Sequence, residues 1–392
     1  MRSNIMRKIH CLNPISKKGL NLLTADYVRS ESIEGAEGIL VRSADMHNME
    51  LPDSLYAVAR AGAGVNNIPC EALAGKGIVV FNTPGANANG VKELVLAALF
   101  LGSRDIVDGI NWSKGLKGDD IAKQVEKGKK QFGGCEIRGK VLGVIGLGAI
   151  GVEVANAAAD LGMTVYGYDP FLSVMGALHM SNYVRYTQNL DELLANCDYL
   201  TIHVPLTPDT RGFFNAKSIE KMKDGVVVLN FARNELTDND AMRRALQAGK
   251  VKRYVCDFPN EETINMEHCI ALPHLGASTE ESEDNCAVMA VNEMMDFLEN
   301  GNIRNSVNLP ACDLGRRASS DKRITIIHRN VPNQIGQFTA AIASLGVNIT
   351  HMANKSKGQI AYTMLDVETD NAAPILEKLN QIPDVIRIRV LG

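Results

Sequence analysis

Short apolar runs, set apart by turn residues and amphipathic stretches, give this chain its rhythm. In the middle block the runs Val141 to Ile145, Thr164 to Tyr168, Tyr199 to Val204, Val226 to Leu229 and Val251 to Cys256 alternate with helix-length segments. Strands separated by helices of about 10–15 residues predict right-handed βαβ units and a parallel sheet. From Met6 to about Gly85, runs such as Gly38 to Val41 and Ile78 to Phe81 alternate with turn-rich joints. A long helical pattern then covers Glu281 to Glu299, and the polar stretch Leu314 to Ser320 reads as a linker. Beyond it the order changes to strand Arg323–His328, helix from Ile335 to Leu345, strands Val347–Ala353 and Gln359–Val367, helix from Ala372 to Leu379 and strand Val385–Val390. That βαββαβ order predicts a ferredoxin-like unit. The fold class is therefore α/β: a Rossmann-like doubly wound parallel sheet, a smaller α/β block and a C-terminal ferredoxin-like unit.

Composition narrows this little. A chain of 392 residues has room for two or three domains. Its net charge of −4 gives no sign of nucleic-acid binding. The longest apolar stretch, Leu94 to Leu101, is too short to cross a bilayer. The N-terminus lacks the apolar core of a signal peptide, and either Met1 or Met6 serves as a start. Eight scattered cysteines without a C-x-x-C pair suit a reducing cytosol and argue against a zinc site, so no metal is expected.

The chemistry starts where the strand Val141–Ile145 meets Gly146, Gly148 and Gly151. In that G-x-G-x-x-G spacing Gly146 permits a tight turn, Gly148 admits a pyrophosphate and Gly151 lets helix pack on strand. The following helix offers unpaired N–H groups and a positive dipole end. The next strand ends at Asp169, where a carboxylate would accept the ribose hydroxyls and repel a 2′-phosphate, and no arginine follows in Pro170–Ser173. The cofactor expected is NAD rather than NADP.

Three later strand ends supply groups for hydride transfer. Arg233 closes an apolar strand, and a guanidinium can grip a carboxylate bidentately. The strand ending at Cys256 runs into Asp257 and the acids Glu261 and Glu262. His274 follows Pro273 in a glycine-containing loop and could accept a hydroxyl proton, with a carboxylate stabilising the imidazolium.

With these motifs the chain resembles the D-isomer-specific 2-hydroxyacid dehydrogenases over essentially its whole length. The segments carrying the resemblance are Arg60–Asn67, Asn82–Gly85, Gly146–Gly151, His203–Thr207, Asn230–Arg233, Asp257 with its loop, and Pro273–Thr279. The resemblance implies that Arg233 orients substrate, His274 is the acid/base and Glu262 its acidic partner, with Glu261 the alternative. It implies that Asp257 holds the nicotinamide amide, and that Ala149, Ile150, His203, Pro205, Thr207, Ala232 and Gly276 line the cofactor site with the three glycines and Asp169. Arg42, Ser43, Arg60, Gly62, Ala63 and Gly64 match substrate-loop positions; Lys127, Lys129 and Lys130 read equally as substrate contacts or solvated surface. Two positions depart from the family pattern: Asn234 stands where glycine usually follows the arginine, and the loop after Asp257 is one residue short before its phenylalanine.

Family topology implies a substrate domain of residues 1–88 and 284–312, a dinucleotide domain of 89–283, a linker of 313–320 and a regulatory domain of 321–392, with cleft closure excluding water. The last unit resembles an ACT domain, in which His328, Asn330 and Asn348 match serine-binding positions and Asn333 stands where glycine is usual. The resemblance thus implies NAD-dependent oxidation of D-3-phosphoglycerate, L-serine as effector, and a homodimer or homotetramer, without nucleic-acid or membrane partners. Alternatives are a glyoxylate or hydroxypyruvate reductase, a non-catalytic NAD sensor, and an ACT unit that serves only oligomerisation.

Overall fold

The computed structural model describes residues 6–318 and 321–392. The first five residues, including the Met1 start, and the last two of the expected linker, Ser319 and Ser320, lie outside the described residues. Two compact units emerge, one built from the chain up to Asn87 together with Glu283–Gly392, the other from Ala88–Ser282.

In the first unit, strands β1 (Arg7–Cys11), β2 (Tyr27–Ser30), β3 (Gly38–Val41), β4 (Ala57–Arg60) and β5 (Val79–Phe81) form a parallel sheet of order β2-β1-β3-β4-β5. The β3 strand is buried throughout, as the continuous apolar run of a parallel strand covered on both faces requires. One covering element is the helix Glu280–Asn300, whose Ala290, Val291, Met294 and Phe297 pack on Ile9, Leu40 and Phe81. A side chain at Gly38 would meet Met294 Sδ at 2.6 Å, so the helix lies directly on the strand there.

The second unit carries β6 (Val141–Ile145), β7 (Thr164–Tyr168), β8 (Val184–Thr187), β9 (Tyr199–Ile202), β10 (Val226–Asn230), β11 (Val251–Cys256) and β12 (Cys269–Ala271). They form one parallel sheet of order β12-β11-β10-β9-β6-β7-β8. Chain order reverses between β6 and β9, and ligands of open α/β sheets bind at the carboxyl ends of strands beside such a switch. Apolar clusters on both faces cover this sheet. The helices Ile106–Lys114 and Ile121–Gly128 bury no residue, and Lys129 pairs with Glu126 at the surface.

The C-terminal strands β13 (Lys322–Arg329), β14 (Ile349–Lys357), β15 (Ile360–Val367) and β16 (Val385–Leu391) form an antiparallel sheet of order β14-β15-β13-β16. Helices Gln334–Ala343 and Ala373–Asn380 cover one face through Phe338, Ile342, Ile375 and Leu379. The other face is part of the first unit's core: Ile327, Tyr362 and Met364 join the cluster of Ile9 and Phe297. All eight residues of β15 are buried, which a sheet standing free behind a linker could not achieve. Polar contacts follow the apolar ones. Arg389 donates to Phe297 O and Leu298 O, Arg323 to Asn300 O, and the Tyr362 hydroxyl to Gly301 O. These donors add cationic and hydroxyl partners to carbonyls at and just beyond the C-terminal end of the long helix, where its dipole favours positive charge.

Candidate active site

The glycine loop after β6 has the backbone its motif demands. Gly146 adopts φ 92°, and an added Cβ would strike His203 O at 2.7 Å. A Cβ on Gly151 would lie 1.8 Å from Gly146 O, so only glycine permits this turn. At Gly148 an added Cβ meets nothing within 4 Å, which leaves open space where a phosphate would approach. The helix Ala149–Asp160 starts there without a side-chain cap, so the N–H groups of its first turn, Ala149 and Ile150 included, are available to an anion. Asp169, at the end of β7, accepts from Leu147 N and Phe171 N, each at 2.8 Å. One backbone bond per oxygen fixes the carboxylate beside the glycine loop and leaves lone pairs for hydroxyl groups.

At the end of β9, Thr201 Oγ1 lies 2.9 Å from His203 Nε2, and burial pushes the His203 imidazole well below its usual pKa. Thr207 and Thr210 exchange hydrogen bonds in the turn that follows, and Thr210 also donates to Pro205 O.

The catalytic candidates sit after three adjacent strands. Asn230, buried at the end of β10, donates to Arg233 O at 2.8 Å and accepts from Ala232 N at 3.2 Å. Arg233 spends one donor on Ala232 O; its other guanidinium N–H groups have no partner among the described residues. After β11, the Asp257 carboxylate accepts from Leu275 N at 2.8 Å and Gly276 N at 2.7 Å. Burial raises its pKa against those two amides. Asp257 thus ties the loop of β11 to the loop of β12. His274 has φ 56°, the left-handed region that a β-carbon disfavours, and its ring packs on Phe258 with centroids 5.0 Å apart.

Neither Glu261 nor Glu262 hydrogen-bonds His274 among the described residues. Glu262 is exposed, with its backbone N–H held by Asn260 Oδ1. Such contacts often form only once substrate is bound, so both acids remain candidates.

In the first unit, Arg60 Nε donates to Arg42 O at 3.0 Å, and Arg42 pairs with Glu283 at 2.6 Å. Gly62 leaves room for the Arg60 guanidinium, since a Cβ there would meet its Nη1 at 2.5 Å. Asn82 Nδ2 donates to Ala63 O next to Gly64. Sequence reasoning missed Asn13, whose Oδ1 accepts from the backbone N–H groups of Arg42, Ser43 and Ala44. Its only signal was an asparagine just after a strand.

The three expected effector residues do not converge within one chain. His328 pairs across to Ala361, which faces Ser356, whereas Asn348 bonds Glu368 beyond the Ile349–Val367 pair. Roughly six strand residues, or about 20 Å, separate the two ends. His328 is buried, with its ring nitrogens on Arg329 O and Thr363 Oγ1, and Asn330 donates to Gly358 O. Asn333 takes the left-handed conformation, φ 65°.

Comparison with known proteins agrees with this geometry. The family model described as "D-isomer specific 2-hydroxyacid dehydrogenase, NAD binding domain" matches residues 103–276. A D-3-phosphoglycerate dehydrogenase of Haemophilus influenzae is 33% identical over 357 residues, 88% of this chain and 83% of its own. The chain belongs to the D-isomer-specific 2-hydroxyacid dehydrogenase family. A second relative, D-3-phosphoglycerate dehydrogenase of Escherichia coli strain K12, is 30% identical over 92% of this chain and 88% of its own. The crystal structure of NAD+-bound 3-phosphoglycerate dehydrogenase from Entamoeba histolytica aligns with a TM-score of 0.57 at 27% identity, covering 77% of this chain and 98% of that one.

Proposed function

We propose that this chain oxidises D-3-phosphoglycerate to 3-phosphohydroxypyruvate with NAD, the first step of L-serine synthesis. The observation that carries the proposal is that the Arg233, Asp257 and His274 loops leave three adjacent strand ends, the last two tied together by Asp257, on a sheet whose glycine loop suits a dinucleotide. The chain's residues fit NAD: open space at Gly148, uncapped N–H groups at Ala149 and Ile150, and Asp169 at the ribose position. Bound NAD would accept the hydride leaving C2 of the substrate. Arg233 holds the substrate carboxylate through paired N–H···O bonds. His274 takes the hydroxyl proton, and Glu262, or Glu261 in its place, stabilises the imidazolium. His203, Pro205, Thr207, Ala232 and Gly276 border the cofactor, and Asp257 holds both its amide and the histidine loop. In the first unit Arg42, Ser43 and Arg60, with the loop Gly62-Ala63-Gly64, serve the substrate's anionic groups.

The C-terminal sheet is the module for L-serine. Because His328 and Asn348 lie at opposite ends of one sheet, a site using both needs two copies paired along the exposed edge of β14.

Initial rates with a panel of D-2-hydroxy acids test the assignment. The highest kcat/KM is expected with D-3-phosphoglycerate. Faster reduction of glyoxylate or hydroxypyruvate would assign the chain to the reductases, and NAD binding without turnover of any substrate would make it a sensor.

A further inference from the structure

We propose that Asn234 and Asn260 are positioning residues whose side-chain hydrogen bond fixes the loop of Arg233 to the loop of Glu261 and Glu262. The inference rests on the roles given above to Arg233 and the acids. Asn260 Nδ2 donates to Asn234 Oδ1 at 2.9 Å. Its direction follows from the neighbours. Asn260 Oδ1 already accepts from Glu262 N at 3.0 Å and Thr263 N at 2.9 Å, so the atom facing Asn234 must be the amide donor.

Both ends of the bond are anchored. On one side Asn234 follows Arg233, whose carbonyl is held by the buried Asn230 at the end of β10. On the other, Asn260 N donates to Thr263 Oγ1 at 2.9 Å, which closes the turn that opens at Glu262. Hydrogen bonds from Asn230 through Asn234 and Asn260 thus reach from β10 to the backbone of Glu262. Both asparagines are half-buried, where water competes less for the bond. Asn234 and the altered loop after Asp257 are also the two departures from the family pattern, and a glycine at 234 would offer no acceptor.

The link matters because the groups around a reacting carbon must be placed to a fraction of an ångström; a 1 Å error costs roughly 100-fold. Four full-length variants separate linkage from local folding. N234G removes the acceptor. N260S keeps an oxygen to cap Thr263 but cannot reach Asn234. N260D keeps both caps and can accept from Asn234 once that amide turns over. N234D/N260D places two carboxylates face to face. Each is compared with wild type by melting temperature, Kd for NADH, and kcat and KM across pH.

N234G and N260S should lower kcat/KM for the hydroxy acid roughly 10- to 100-fold with NADH affinity and melting temperature held. The acid limb of the kcat/KM profile should move to lower pH, because a less closely held carboxylate stabilises the imidazolium less. N260D should recover most of what N260S loses, and N234D/N260D should be the slowest of the four. N234G and N260S within twofold of wild type, or four variants equally impaired, would overturn the proposal. Near-wild-type turnover by R233A would refute the assignment of Arg233 itself, a result separable from the asparagine series.

Discussion

Asp169 shows how a single side chain sets cofactor choice. Its carboxylate is pinned by Leu147 N and Phe171 N, so it cannot swing away from a 2′-phosphate. D169A should narrow the preference for NAD over NADP without altering the preferred substrate, and comparable kcat/KM with both cofactors in the wild type would sink the assignment. At this scale the sequence was legible wherever a residue's task is local, as with Gly146 in its tight turn or Asp169 at a strand end. Pairwise contacts were not legible. Asn234 and Asn260 stand 26 residues apart, and Asn13 meets the backbone of Arg42 and Ser43 about thirty residues on; neither spacing leaves a periodic trace.

The long helix Glu280–Asn300 carries a titratable group at a telling place. Glu293 accepts from Asn305, its second oxygen is buried without a partner, and burial raises its pKa to about 7. Its folded pKa therefore exceeds its unfolded value. Between the two the native state holds a proton that the unfolded chain has lost, so stability falls as pH rises through that window. E293Q should flatten the dependence of melting temperature on pH between about 4.5 and 7 and raise it at pH 8; an unchanged profile would rule Glu293 out as its source. Elements with a buried face were read well, β3, β6, β7 and β11 to the residue. The helices Ile106–Lys114 and Ile121–Gly128, which bury nothing, went unread, although Ile121–Gly128 is amphipathic. The short β12 was legible only as a strand end before His274, without bounds, because its three residues are only half-buried.

For the molecule as a whole, the sequence separated the C-terminal unit by its changed element order but could not show where its second face goes. That face is shared with the core around Phe297, and Arg323, fully buried, reaches both Asp366 and the end of the long helix. Segment 321–392 alone would expose this face, so serine binding belongs on the full chain. Calorimetry there should find serine binding that N348A weakens; no heat at millimolar serine would leave oligomerisation as the module's role. The central claim concerns a hydride leaving C2 and a proton leaving its hydroxyl, with Arg233 holding the substrate and His274 taking the proton. It is tested most directly by the rate of NADH formation from D-3-phosphoglycerate at saturating NAD, measured side by side for wild type and H274A. Turnover by the wild type, lowered by roughly two to four orders of magnitude in H274A with Kd for NADH unchanged, is the expected result. An H274A variant that forms NADH at near the wild-type rate would contradict it.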